Sequence, residues 1–208
     1  MKENINLKEI EKKAWTSYFQ DGLIDIFIGC IVLMFALAPI LSRMGLGDFW
    51  SSFIFLPFWA LIYSLIVVIR KYIVTPRIGV VKFGVVRKKK MIRFNLIIFT
   101  VFLVGFVLGL LSFIDFDIPG WIHLARFGFI VLITSSVAAY FLDYPRLFFY
   151  GILFVLSLIV GEWLWINMKV PHHGFPITFG ITAAIIIIVG LIVFIRLLRN
   201  NPLPKKEV

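Results

Sequence analysis

Cysteine is almost missing from this 208-residue sequence: there is one, Cys30. A lone cysteine forms no internal disulfide, and in the middle of an apolar run it reads as a small apolar filler silent about redox compartment. Charge is scarce as well, at 15% of residues, and acid is scarcer than base, with 11 Asp and Glu against 21 Lys and Arg. So few charges over so long a chain exclude an ordinary soluble domain. What fills the space is hydrocarbon: 61% of residues are hydrophobic and the mean hydropathy is +1.01.

That apolar content is gathered into six runs, roughly 22–41, 50–69, 94–114, 121–142, 147–166 and 177–198. Each is near the ~20 residues that a helix needs to cross ~30 Å of hydrocarbon at ~1.5 Å per residue. Lipid offers backbone groups no partner, so helices are required, and the alternation of a membrane barrel is absent. The first run follows a charged leader and shows no small-residue cleavage site, so it reads as a retained helix and not a signal peptide. The expected fold is all-α: a six-helix transmembrane bundle over 22–199, preceded by an interfacial amphipathic helix over 1–21 and followed by a tail over 200–208.

The amphipathic reading of 1–21 rests on spacing. Asn6 and Glu9 stand at N-cap and N3, and Leu7, Ile10, Ala14 and Tyr18 make one apolar stripe. Trp15 and Phe19 then sit at headgroup depth, and the helix lies flat on the inner leaflet; docking on a partner protein is the alternative.

Cations are distributed unevenly along the chain. Nine Lys or Arg and no acid fall between Arg70 and Arg93. With the N-terminus inside, 18 of the 21 Lys and Arg face the inner side: four ahead of the first span, those nine, Arg146, and four at the C-terminal end. Only Arg43 and Lys169 fall in outer loops, and Arg126 lies within a span. This is the positive-inside pattern of a protein with both termini in the cytoplasm. Trp50, Trp121, Trp163 and Trp165 sort to the outer boundary, while Tyr18, Tyr72, Tyr140, Tyr144 and Tyr150 sort to the inner one, as interfacial belts do.

The 70–93 loop is expected along the membrane surface. Arg70, Lys71, Arg77, Lys82, Arg87, Lys88, Lys89, Lys90 and Arg93 are its candidate contacts to anionic headgroups, each worth ~1 kcal/mol before screening. Nucleic-acid binding is not expected, because no nucleic-acid-binding fold accompanies the run. Between Ile78 and Val85 the residues alternate around Gly84, which fits a short surface strand or an irregular loop.

Ionisable residues inside spans are the candidate site. Arg126 in the fourth span and Glu162 in the fifth should reach similar depth, roughly 6–9 Å in. Each alone costs ~2.5–3.5 kcal/mol or more, so a pair is expected. It either sets helix register, or it floors an outward-facing polar pocket to which His123 and Asn167 also contribute. Asp115, Asp117, His172 and His173 in outer loops do not have diagnostic ligand spacing, and no metal site or cofactor is expected. Asp21, Asp25 and Asp143 stand near inner helix ends, where a carboxylate suits the helix dipole. No GxSxG, Walker A, GxGxxG or HExxH motif occurs, which argues against an enzyme.

Small residues suggest close helix packing: Gly105 and Gly109 in the third span, and Ser135, Ser136, Ala138 and Ala139 in the fourth. A packed bundle explains them, and a homo-oligomer or membrane-protein partner is open. LIVVIR at 65–70 and LIVFIR at 191–196 form a weak echo, each with a proline six residues after the arginine. Transporter repeats leave such traces. The stretch from Gln20 to Phe94, with QDGLIDIFIG and TPRIGVVKFG, resembles a group of uncharacterised prokaryotic multi-pass membrane proteins. The resemblance covers roughly a third of the chain. It implies a bacterial or archaeal cytoplasmic membrane and brings no activity with it. The function expected is a non-enzymatic membrane protein, an accessory or lipid-interacting component; a small transporter or channel using the outer pocket at His123, Arg126 and Glu162 is the alternative.

Overall fold

In a computed structural model of the chain, residues 21–78, 85–112 and 120–202 are described. Residues 1–20 of the helix expected over 1–21, residues 79–84 of the strand or loop expected between Ile78 and Val85, with Lys82, the side chains of Arg87 and Lys88, the surroundings of Gly109, Asp115, Asp117 and the tail beyond 202 lie outside the described residues.

The described residues are helical and contain no strand. α1 spans Leu23–Arg43, α2 Asp48–Phe53, α3 Phe55–Ile69, α4 Thr75–Ile78, α5 Val85–Ser112, α6 Gly120–Phe141, α7 Arg146–Met168 and α8 Phe175–Asn200. A π turn at Arg70–Val74 joins α3 to α4, so this helix continues well past the apolar run that starts it. A 3₁₀ turn at His172–Gly174 leads into α8. Taken together these make six helices long and apolar enough to cross a membrane. The chain is a multi-pass membrane protein with an all-α six-helix fold.

Packing within the bundle is uneven. The first and last helices, α1 and α8, share the most extensive interface, followed by α6 with α7 and α7 with α8. Glycine makes the first of these possible. A methyl group on Gly29 would lie 2.5 Å from Ile187 Cγ1, and one on Gly190 would lie 2.9 Å from both Asp25 Cβ and Gly22 O. Gly22 is also left-handed, with φ 81°, which a side chain resists. Backbones in lipid gain van der Waals contact by such close approach, because no hydrophobic force separates helix from solvent there.

The core sits where α1, α7 and α8 meet. Val32, Ala36, Tyr150, Phe154, Leu158, Phe179, Ala183 and Ile186 form it, with the Phe154 and Phe179 rings 4.8 Å apart and Phe35 edge-on to Phe154 at 5.1 Å. Ser157 Oγ and Thr182 Oγ1 join α7 to α8 at 2.6 Å. The expected small patch on α6 is used as well: Gly151 of α7 leaves room for the Ser135 side chain. α5 is peripheral, packing chiefly on α6 and exposing Leu96, Phe99, Phe102, Leu103 and Phe106.

Candidate functional site

Among the described residues the most enclosed charge is Asp25, one turn inside α1 and 0% exposed. A carboxylate moved out of water at this depth persists only if fixed dipoles and opposite charge replace its hydration. Three side chains do so. Tyr144 and Tyr150 donate their hydroxyls to Asp25 Oδ1, the latter at 2.8 Å, and Arg146 Nη1 donates to Oδ2 at 2.7 Å. All three belong to the tight α6–α7 turn or the first turns of α7. The turn is made by Asp143 in the left-handed region at φ 53° and by Pro145, which caps α7. The Arg146 guanidinium also lies 5.0 Å from the Tyr144 ring centroid, adding a cation–π contact.

Asp21, 1% exposed, sits just ahead of α1. Its Oδ1 accepts from the Leu23 backbone N–H at 3.0 Å, which satisfies one of the helix's orphan donors. Its Oδ2 takes both Nε at 2.9 Å and Nη2 at 2.5 Å from Arg70 at the end of α3. Burial raises the Asp21 carboxyl above its ordinary range, and the Arg70 guanidinium works against that rise. The role expected for Asp21 at the helix start is therefore present, joined to a two-pronged salt bridge between the first two spans.

The candidate lipid-contact cations divide into two sets. Arg70 holds Asp21; Arg77 Nη1 donates to Leu198 O at 3.3 Å and Asn201 O at 3.1 Å, closing the C-terminal end of α8. Lys90 Nζ reaches Asp143 Oδ2 at 3.1 Å. Lys71, Lys89 and Arg93 are exposed. The described parts of the Arg70–Arg93 segment are helical, so these cations project from helices rather than from a slack loop. By these contacts the start of α1, the end of α4, the start of α5, the α6–α7 turn and the end of α8 share one end of the bundle, here called the basic end.

At the opposite end Glu162 Oε2 and His173 Nδ1 lie 2.8 Å apart. His173 is held in a left-handed conformation, φ 55°, with its ring 4.1 Å from that of Trp165. Sequence reasoning placed His173 in an outer loop near Glu162, as part of an unfavoured metal cluster, and did not expect a pair between the two. Asn167 is exposed and donates to the Trp163 carbonyl at 3.0 Å. His123 and Arg126 are half-buried on α6. Between α6 and α7 runs an open groove of about 570 Å³, apolar along Leu124, Gly128, Phe129, Val155 and Ile159, with Glu162 and Asn167 in its lining. Glu162 and Asn167 thus share one groove wall, and His123 and Arg126 are not in that lining. Among the described residues no cluster of three His, Cys, Asp or Glu could hold a metal ion.

The Asp25 network is the feature that sequence reasoning did not assemble. Its partners lie more than a hundred residues away, and nothing local links them. One trace was present: Gly22, Gly29 and Ala36 recur every seven residues and put Asp25 on the same narrow face of α1, which is a contact face and not a lipid face. No family model, no curated protein and no solved structure matches this chain.

Proposed function

We propose that the chain is a non-enzymatic component of a prokaryotic cytoplasmic membrane, with both termini inside, that works as an accessory or lipid-interacting protein. The observation that carries the reading is the concentration of cations at the basic end. Lys71, Lys89 and Arg93 are exposed there on helices that leave the hydrocarbon, where anionic headgroups supply counter-charge. A homo-oligomer or a membrane-protein partner is compatible with this role, and the apolar outer face of α5 is open to either or to lipid.

Cysteine labelling tests the orientation. In a Cys30→Ala background, a cysteine at Lys89 should react with a membrane-impermeant maleimide only after lysis, and one at Met44, 77% exposed at the opposite end, should react in intact cells. The reverse pattern would invert the topology and remove the anionic inner leaflet from the proposal.

A second reading, a small transporter or channel, draws on the groove that Glu162 and Asn167 line between α6 and α7. It needs water to reach His123, Arg126 and Glu162. Cysteines at these positions that stay unreactive to a small aqueous thiol reagent in intact cells would eliminate it.

A further inference from the structure

A cleft at the basic end adjoins the carboxylate network and shares Arg146 with it. The end of α4, the α6–α7 turn and the last turns of α8 enclose about 570 Å³, a size that suits a small ligand or a headgroup. Arg146, Arg196, Asn200 and Asn201 give it a polar wall, with Ile78 and Val193 among its apolar lining. Among the described residues no carboxylate lines it.

Charge inside the cleft is incomplete. Arg146 spends Nη1 on Asp25, yet its side chain is 25% exposed, and the rest of its guanidinium fork is not called for by that bond. Arg196 is exposed and forms no salt bridge among the described residues. The Asn201 amide spends one of its two N–H groups on Leu197 O at 3.0 Å, and Asn200 adds a second amide to the lining. Beside the cleft Arg77 holds the α8 carbonyls, and its buried Nε has no partner among the described residues. Arg196, with no acid partner among the described residues, and the remaining donors of Arg146 leave this recess able to attract an anion. Two guanidinium groups favour a phosphate, whose oxygens match their forked donors.

We propose that this cleft binds a phosphate group between Arg146 and Arg196, with Asn200 as a further donor. The site rests on the lipid-interacting reading of the basic end and gives it a specific address. The phosphate belongs either to a phospholipid headgroup of the adjoining leaflet or to a soluble phosphate.

The test titrates the full detergent-solubilised chain with phosphatidylglycerol in mixed micelles, followed by native mass spectrometry, and with inorganic phosphate by calorimetry. Arg196→Gln should weaken saturable binding about tenfold, the worth of one charge-assisted hydrogen bond. Arg199→Gln removes the same charge outside the lining and should change it less than about twofold. Arg196 is exposed, so both variants should keep wild-type helicity by circular dichroism. Saturable phosphatidylglycerol binding with that ranking assigns a lipid headgroup. The same ranking with inorganic phosphate alone assigns a soluble anion. Equal losses in the two variants, or no saturable binding of either probe, overturn the site. Such a failure leaves the maleimide labelling pattern unchanged and is thereby separable from failure of the topology.

Discussion

The two ends of this bundle solve the same problem differently. At the basic end, buried carboxylates are enclosed by donors from the end of α3, the α6–α7 turn and α7: Asp21 by Arg70, Asp25 by Tyr144, Arg146 and Tyr150. At the opposite end Glu162 meets His173, whose side chain is 44% exposed, beside an aromatic belt. A fully buried charge that loses a partner stays uncompensated, whereas a half-exposed one is rescued by water. The difference teaches that compensated buried charge holds the basic end, whereas close packing holds the opposite end, where a methyl group on Gly174 would lie 2.9 Å from Gly161 O.

Removing the central acceptor should break the comparison most severely. Asp25→Ala strands a guanidinium and two hydroxyls, and its cost should be about 3–5 kcal/mol, read as a fall in melting temperature in mild detergent. A melting temperature within a degree or two of wild type would show the network to be dispensable. Next comes the glycine contact beside it. Gly190→Leu drives a side chain into Asp25 Cβ and the Gly22 carbonyl and should cost about 1–3 kcal/mol. Gly105→Ala, where a methyl would meet Ile130 Cδ1 at 3.4 Å, should stay within about 0.5 kcal/mol. Equal losses at the two glycines would deny that the α1–α8 crossing is special. A double-mutant cycle on Asp21→Asn and Arg70→Gln should return a coupling of roughly 1–2 kcal/mol. Strict additivity would mean that the two-pronged contact contributes nothing as a pair. The smallest effect belongs to the other end: Glu162→Gln or His173→Ala should change stability by less than about 1 kcal/mol. A larger loss there would erase the contrast between the ends.

Hydropathy made the spans legible. The run read as 147–166 is α7, Arg146–Met168, and the run read as 177–198 is α8, Phe175–Asn200. Length and apolarity are local properties, so one sequence suffices to find them. Neighbours are not local. Gly105 and Gly109 looked like the packing pair, yet the closest backbone approach in the described residues of α1 and α8 uses Gly22, Gly29 and Gly190. Asp25 likewise looked like a helix-start residue, because its acceptor role depends on Tyr144, Arg146 and Tyr150 arriving from a different hairpin. The basic run pointed to lipid, but Arg70, Arg77 and Lys90 also carry contacts within the chain that only the folded arrangement brings within reach. A sequence shows which residues are expensive to place in hydrocarbon, and the fold shows who compensates them.

The mating of α1 with α8 carries a consequence for biogenesis. At about 5–20 residues per second, roughly 10–30 s separate the emergence of Gly29 from that of Gly190, so the first helix must wait in the bilayer for its seat. During that interval Gly22 and Gly29 offer bare backbone to whatever helix drifts past. A ribosome stalled before α8 would leave this groove unfilled and the small-residue face of α1 bare.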